Sequence, residues 1–224
     1  MHTSCDLPFS AHRPRPTIHN LPAARLVAVP RTARVYDLGD ADAPTVWLAL
    51  HGYGQLGRYF ARHFAQHAGP QRRIVVPEAP ARFYLGDDYK RVGASWMTRE
   101  ERLSDIADTH AYLDAVLDGL DAPIRGLGFS QGGMVLARYA ATRPGRFARL
   151  VLWGSAPPDD VDLVAATLPP LTFVLGDSDD YLTPERRAAL AIRLDGVPHT
   201  TVTYGGGHRL HAETLAAQLA DSMG

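Results

Sequence analysis

A mostly parallel, doubly wound α/β sheet is predicted by three observations on this 224-residue chain. Short unbroken apolar runs recur along it, as strands buried on both faces require. Helix-period segments fall between those runs, in the strand, helix, strand order that builds parallel pairs. The runs also empty into glycine- and aspartate-bearing loops, and the carboxyl ends of strands are where such sheets place their chemistry.

In chain order, residues 1–22 mix proline, histidine and arginine without periodicity and are expected to form an extended or disordered arm. Residues 23–224 are expected to form one domain, a length that a single large core can hold. Two β-prone runs, Arg25 to Val29 and Ala33 to Leu38, flank Pro30-Arg31-Thr32 and read as an antiparallel N-terminal hairpin. Val46 to Leu50 is a buried strand, Arg58 to Ala68 a helix and Arg73 to Val76 the next strand, stopped by Pro77. The loop from Pro77 to Thr98 is long enough to be a cover or binding wall, and Tyr84 and Trp96 are its candidate pocket residues.

Leu103, Ile106, His110, Leu113, Leu117 and Leu120 step by three and four, which predicts a helix from about Glu100 to Gly119 with that stripe inward. His110 lies on the stripe and reads as a core histidine. Pro123 to Gly128 is a strand, Gln131 to Thr142 a helix, and Arg149 to Trp153 and Leu171 to Leu175 are further strands. Thr183-Pro184-Glu185 supplies an N-cap, a proline for the first turn and an early carboxylate, so a helix starts there and runs to about Leu194. Thr200 to Tyr204 is the last strand, and a closing helix spans about His208 to Met223.

Composition excludes several function classes. With 46% hydrophobic residues, 21% charged residues and a formal net charge of -1, the chain makes no electrostatic bid for nucleic acid. No 18 apolar residues run together as a membrane span would need, and the first twenty lack a signal-peptide core. Cys5 is the sole cysteine, so no disulfide within the chain and no cysteine metal cluster can form. A cytoplasmic protein is expected, with a small-molecule partner and a second copy of the chain as a further candidate. No cofactor or metal is expected, because neither a nucleotide-binding glycine pattern nor a metal-spaced cluster is present.

The chemistry-bearing motif is Gly126-Leu127-Gly128-Phe129-Ser130-Gln131-Gly132-Gly133, a G-x-S-x-G frame between a strand and a helix. Such a nucleophile elbow holds the serine on a strained turn where neighbouring side chains would collide. A serine hydroxyl needs an imidazole to take its proton and a carboxylate to orient that imidazole. Leu171 to Leu175 ends in Gly176-Asp177-Ser178-Asp179-Asp180, and Thr200 to Tyr204 ends in Gly205-Gly206-Gly207-His208. The order Ser130, Asp179, His208 is that of an α/β-hydrolase fold. Asp177 and Asp180 share the loop; Asp179 is favoured because it lies past the strand end, where the loop can turn towards His208. His211 reads as a surface residue. For the oxyanion, Gln131 offers one backbone N–H and the Gly52-Tyr53-Gly54 loop another, assigned to Tyr53. His51 reads as a residue that shapes this loop.

Together, Leu50-His51-Gly52-Tyr53-Gly54-Gln55, Gly128-Phe129-Ser130-Gln131-Gly132-Gly133, Gly176-Asp177-Ser178-Asp179 and Gly207-His208 resemble the phospholipase/carboxylesterase family that includes acyl-protein thioesterases. The resemblance extends over most of residues 25–224. It implies a cofactor-free serine hydrolase acting on carboxylic esters, thioesters or lysophospholipids, with Ser130 as nucleophile, Asp179 as acid, His208 as base and Tyr53 and Gln131 as oxyanion donors. The chain departs from that family in two places. Ala94 to Glu100 lacks a Trp-Phe-Asp-Ile type of run, and Asp180-Tyr181-Leu182 replaces an Asp-Pro pairing after the acid.

The leading expectation is a serine carboxylesterase for small to medium acyl groups, working through an acyl-enzyme. A lysophospholipase or acyl-protein thioesterase for long chains is the alternative, with Tyr84, Trp96, Trp153, Leu182 and Leu210 as candidate tunnel walls. A non-catalytic binder on the same fold is the third reading. Dienelactone-type hydrolysis is disfavoured because that chemistry uses a cysteine at the elbow.

Overall fold

The computed structural model describes residues 24–120 and 124–220. The chain divides into two units at Thr32/Ala33, and everything below lies in the second. Among the described residues of the first, 24–32, there is neither strand nor helix.

The elements run β1 (Val35–Leu38), β2 (Thr45–Leu50), α1 (Gly57–Phe60), β3 (Arg72–Pro77), β4 (Ala81–Tyr84), β5 (Val92–Ser95), α2 (Arg102–Val116), β6 (Ile124–Phe129), α3 (Gln131–Ala141), β7 (Phe147–Trp153), β8 (Leu171–Gly176), α4 (Pro184–Arg193), β9 (His199–Tyr204) and α5 (Ala212–Leu219). The main sheet has the order β1-β3-β2-β6-β7-β8-β9. All its neighbours are parallel except β1, which runs antiparallel to β3 with Val35 opposite Pro77. The antiparallel N-terminal edge is therefore present, but its partner is β3. Arg25 to Val29, expected as the other arm of a hairpin, is not a strand, and β1 pairs residue for residue with β3 alone, from Val35 opposite Pro77 to Leu38 opposite Ile74.

Strand composition explains the layering. β8 is buried at all six positions, and β2 and β3 at their last four, so side chains alternate between two apolar faces. Leu48 and Leu50 point to the face covered by α2, α3 and α4 through Leu113, Leu136 and Leu190. Trp47 and Ala49 point to the face covered by Phe60, Phe64, Leu215 and Leu219. Each large apolar side chain fully removed from water contributes roughly 1.5 to 3 kcal/mol.

Three local expectations change. The segment 58–68 is a chain of short turns, α1 followed by 3-10 turns at 61–63 and 65–67, because none has a side-chain cap and Phe60 and Phe64 are drawn edge-on to each other at 5.2 Å. The expected stripe of α2 faces inward at Leu113 and Leu117 and partly at Ile106, His110 and Leu120, but Leu103 at its start is 77% exposed and Thr109 is buried instead. Thr109 is drawn in by donating its hydroxyl to the Trp96 carbonyl at 3.1 Å. His110 lies half-buried, edge-on to Tyr139, with Nε2 unpartnered among the described residues. Finally, the loop after Pro77 contains an antiparallel hairpin, β4 with β5, whose strands alternate sides at Ala81-Arg82-Phe83-Tyr84. The closing helix runs from Ala212, capped by His211, to Leu219, and residues 221–223 of its expected span lie outside the described residues.

The chain passes from β2 outward to β3, then returns to the other side of β2 as β6. This reversal opens a crevice between the carboxyl ends of β2 and β6, the switch point at which ligands bind in open α/β sheets.

Candidate active site

Ser130 stands at that switch point, between the end of β6 and the start of α3, with φ 53° and ψ -119°. A non-glycine residue in such a conformation is held there by its surroundings. Its N–H donates to the Trp153 carbonyl at 2.9 Å and its carbonyl accepts from the Ser155 hydroxyl at 2.8 Å. Gly128 and Gly132 are required by close approach: a Cβ on Gly128 would lie 2.5 Å from the Gly132 carbonyl oxygen, and one on Gly132 would run into the Leu50 carbonyl. Among the described residues, Ser130 Oγ has no hydrogen-bond partner, and in sites without substrate such contacts are often long.

β8 and β9 deliver the other two groups side by side. His208 Nδ1 lies 2.8 Å from Asp179 Oδ2, and the Asp179 side chain is fully buried. Asp179 Oδ1 accepts from the Tyr181 N–H at 2.9 Å, so both oxygens of the carboxylate are engaged. Of the three aspartates in the loop, only Asp179 faces His208. Asp177 instead accepts from the Gly206 N–H at 2.9 Å, a bond that ties the two loops together and holds its carboxyl below the usual range. Asp180 is exposed. His211 is no idle surface group, since its ring accepts from Thr214 at the start of α5 and stacks on Tyr204.

The His208 ring is fixed from three sides. Phe129, next to Ser130, packs against it at 4.8 Å and Tyr181 at 4.4 Å. Gly154, at the end of β7 with φ 54°, lies under it: a Cβ there would sit 2.9 Å from His208 Cε1 and 3.2 Å from Asp179 Oδ2. Gly154 was not singled out from the sequence. Its only signal is a glycine following an apolar strand, which does not reveal what approaches it.

The 51–55 loop is shaped by His51, which is fully buried. His51 Nδ1 donates to the Gly52 carbonyl at 2.8 Å, and Nε2 accepts from the Ala79 N–H at 3.0 Å, a pairing only the neutral ring can make. Burial lowers its pKa from 6.5 to about 4. Trp96 Nε1 donates to the His51 carbonyl at 2.8 Å. The Gln131 amide joins the network, accepting from the Trp96 N–H at 3.1 Å and donating to the Met97 carbonyl at 2.9 Å. The N–H groups of Gly52, Gly54 and Gln55 are all satisfied. Those of Tyr53 and Gln131 have no partner among the described residues, which leaves two free donors just past the ends of the adjacent strands β2 and β6.

A cleft of about 570 Å3 opens beside Ser130, lined by Gln131, Met134, Ala156, Leu182 and Leu190 among others. Arg193 holds its far wall by donating to the carbonyls of Pro157 and Pro158. Of the expected pocket residues, Leu182 lies on the wall of this cleft. Trp96 does not: it is 1% exposed and belongs to the His51 network behind the site. Tyr84 projects from the β4–β5 hairpin against Tyr89, away from the cleft, because the alternation along β4 turns it outward. Trp153 is likewise core, with Nε1 bonded to the Arg209 carbonyl at 2.9 Å. Among the described residues, no three His, Cys, Asp or Glu side chains are arranged to hold a metal ion, and no helix is long and apolar enough to cross a membrane.

Solved structures with this fold include esterase PE8, at 23% identity and a TM-score of 0.65, covering 85% of this chain and 97% of that one. Zea mays acyl-protein thioesterase 2 aligns at 16% identity and a TM-score of 0.64, over 84% of this chain and 100% of that one. Arabidopsis thaliana SOBER1 aligns at 20% identity and a TM-score of 0.62, over 78% and 95%. No curated protein matches the chain. The family model described as serine hydrolase (FSH1) matches residues 42–215, a span that takes in the 51–55 loop, Ser130, Asp179 and His208, and the chain therefore belongs to the FSH1 serine hydrolase family.

Proposed function

We propose that this protein is a serine carboxylesterase in which Ser130 is the nucleophile, His208 the general base, Asp179 the orienting acid, and the N–H groups of Tyr53 and Gln131 the oxyanion donors. The observation that carries the reading is the 2.8 Å contact of His208 Nδ1 with a buried carboxylate, which leaves Nε2 as the free base on a ring packed against the residue before Ser130. Ser130 Oγ attacks the acyl carbonyl carbon while its proton passes to Nε2. The developing oxyanion receives the two unpartnered N–H groups, each worth about 3 to 4 kcal/mol in comparable sites. The bond to the leaving group then breaks, and that group takes the proton from His208. Water attacks the acyl-enzyme by the same route, releasing the acid and restoring Ser130.

The cleft walled by Met134, Leu182 and Leu190 suits a small to medium acyl group. The commitment of Trp96 to the His51 carbonyl speaks against a long tunnel behind it. A single cysteine suits a reducing cytosol. Labelling with a fluorophosphonate followed by peptide mapping tests the reading: the adduct is expected on Ser130, and Ser130→Ala abolishes both labelling and hydrolysis of 4-nitrophenyl butyrate. Wild-type hydrolysis no faster than that of the variant would favour a binding protein. A chain-length series peaking at palmitoyl would favour the long-chain alternative.

A further inference from the structure

On the other flank of the 51–55 loop lies a second cavity, of about 510 Å3, between the start of α1 and the β4–β5 hairpin. Arg58, Lys90 and Arg91 line it, and no carboxylate does. None of the three has an ion-pair partner among the described residues. The nearest acidic side chain in sequence, Asp88, accepts from the Lys90 backbone N–H at 3.2 Å. Three like charges around one cavity repel one another, and an anion that bridges them removes that cost. Two of the three are arginines, whose planar donor forks match phosphate oxygens. The rest of the wall is mixed: Gln55, Tyr59 and His63 add polar groups, with the Arg58 guanidinium over the Tyr59 ring at 4.6 Å, while Leu56, Phe60, Leu85 and Val92 form an apolar side that accepts a hydrocarbon portion.

The cavity is also built into the catalytic loop. Gly54 and Gln55 form part of its wall. Gly54 directly follows Tyr53, the proposed oxyanion donor, and consecutive Cα atoms lie about 3.8 Å apart. The hairpin is clipped to the same loop, with the Gly54 N–H donating to the Ala94 carbonyl at 2.9 Å and the Ala94 N–H donating to the Gln55 carbonyl at 3.1 Å. A group seated here lies across the oxyanion loop from the cleft that takes the acyl chain.

We propose that this pocket binds phosphate groups on the leaving-group side of the substrate, which makes the natural substrate an acyl thioester or ester of a phosphorylated thiol or alcohol. This rests on the esterase reading above. The phosphates themselves do not react: the acyl C–S or C–O bond breaks, the sulfur or oxygen takes the proton from His208, and the phosphorylated thiol or alcohol departs.

Two matched substrate pairs and one binding probe test it. Butyryl-coenzyme A is compared with butyryl-N-acetylcysteamine, the same thioester without phosphates, and lysophosphatidate with monoacylglycerol. At least one pair is expected to show a tenfold or greater kcat/KM advantage for the phosphorylated member, and which pair does so separates a soluble thiol from a lipid headgroup. The advantage shrinks as salt rises from about 0.01 to 0.5 M. It collapses to within about twofold in Arg58→Met/Arg91→Met, and because the readout is a ratio, a general loss of folding or of catalytic power cancels. Inorganic pyrophosphate, as the probe, raises the Tm of the wild type and not of the double variant. Ratios near one in both pairs, or a pyrophosphate shift that survives in the double variant, overturn the proposal. No hydrolysis of any ester, with the pyrophosphate shift still lost in the double variant, retires the esterase reading and leaves an anion pocket without a reaction.

Discussion

The two halves of the candidate site are held in place by opposite means. The Asp179–His208 half, though flanked by Phe129 and Tyr181, depends on close backbone approach: Gly154 lies beneath the imidazole, and a Cβ on Gly176 would meet the Gly207 carbonyl at 2.8 Å. The oxyanion half is fixed by side chains, in the buried network of His51, Trp96 and Gln131. The difference teaches where each half is fragile. The first tolerates no added volume, and the second tolerates no lost acceptor and no added charge.

The hardest break falls on the first half. Asp179→Asn is expected to lower kcat on 4-nitrophenyl butyrate by on the order of 10⁴-fold, the size seen when the acid of a serine triad becomes an amide. Asp177→Asn and Asp180→Asn should stay near wild type, and a comparable loss in either would reassign the acid. Gly154→Ala comes next. Its methyl group displaces the imidazole from the carboxylate, and a misplacement of about 1 Å costs roughly 10²-fold in kcat, with KM little changed. A wild-type kcat in Gly154→Ala would show that the ring is not seated there.

The other half is sharpened by acid. The folded-state pKa of His51, about 4, lies below its ordinary 6.5, so the unfolded chain takes up this proton first. The stability His51 contributes is whole above pH 6.5 and is lost as pH falls towards 4, a change on the order of 3 kcal/mol. Urea unfolding at pH 7 and pH 4.5 should show this loss in the wild type and a shallower one in His51→Gln. Equal losses in the two proteins would place the acid sensitivity elsewhere.

Much of this arrangement was legible in the sequence because it depends on residues near one another in the chain. Unbroken apolar runs marked β2, β3, β7 and β8, and the glycines around Ser130 marked the elbow because the constraint they satisfy is local. Asp179 and His208 were legible from their places just past strand ends. What was hidden depends on contacts across the fold. Nothing in Leu152-Trp153-Gly154 tells that an imidazole lies above the glycine. Trp96 read as a pocket wall because its indole reaches His51, 45 residues away, only after folding. Arg25 to Val29 has strand propensity yet forms no strand, and nothing local tells that β1 takes the distant β3 as its partner. The cations of the second cavity are distant in sequence, and only the hairpin brings Lys90 and Arg91 opposite Arg58.

The backbone of Ser130 carries a further meaning. A side chain at φ 53°, ψ -119° costs about 1 to 3 kcal/mol that glycine would not incur. Exchange of Ser130 for glycine would therefore relax the turn and yield a sturdier but inert protein.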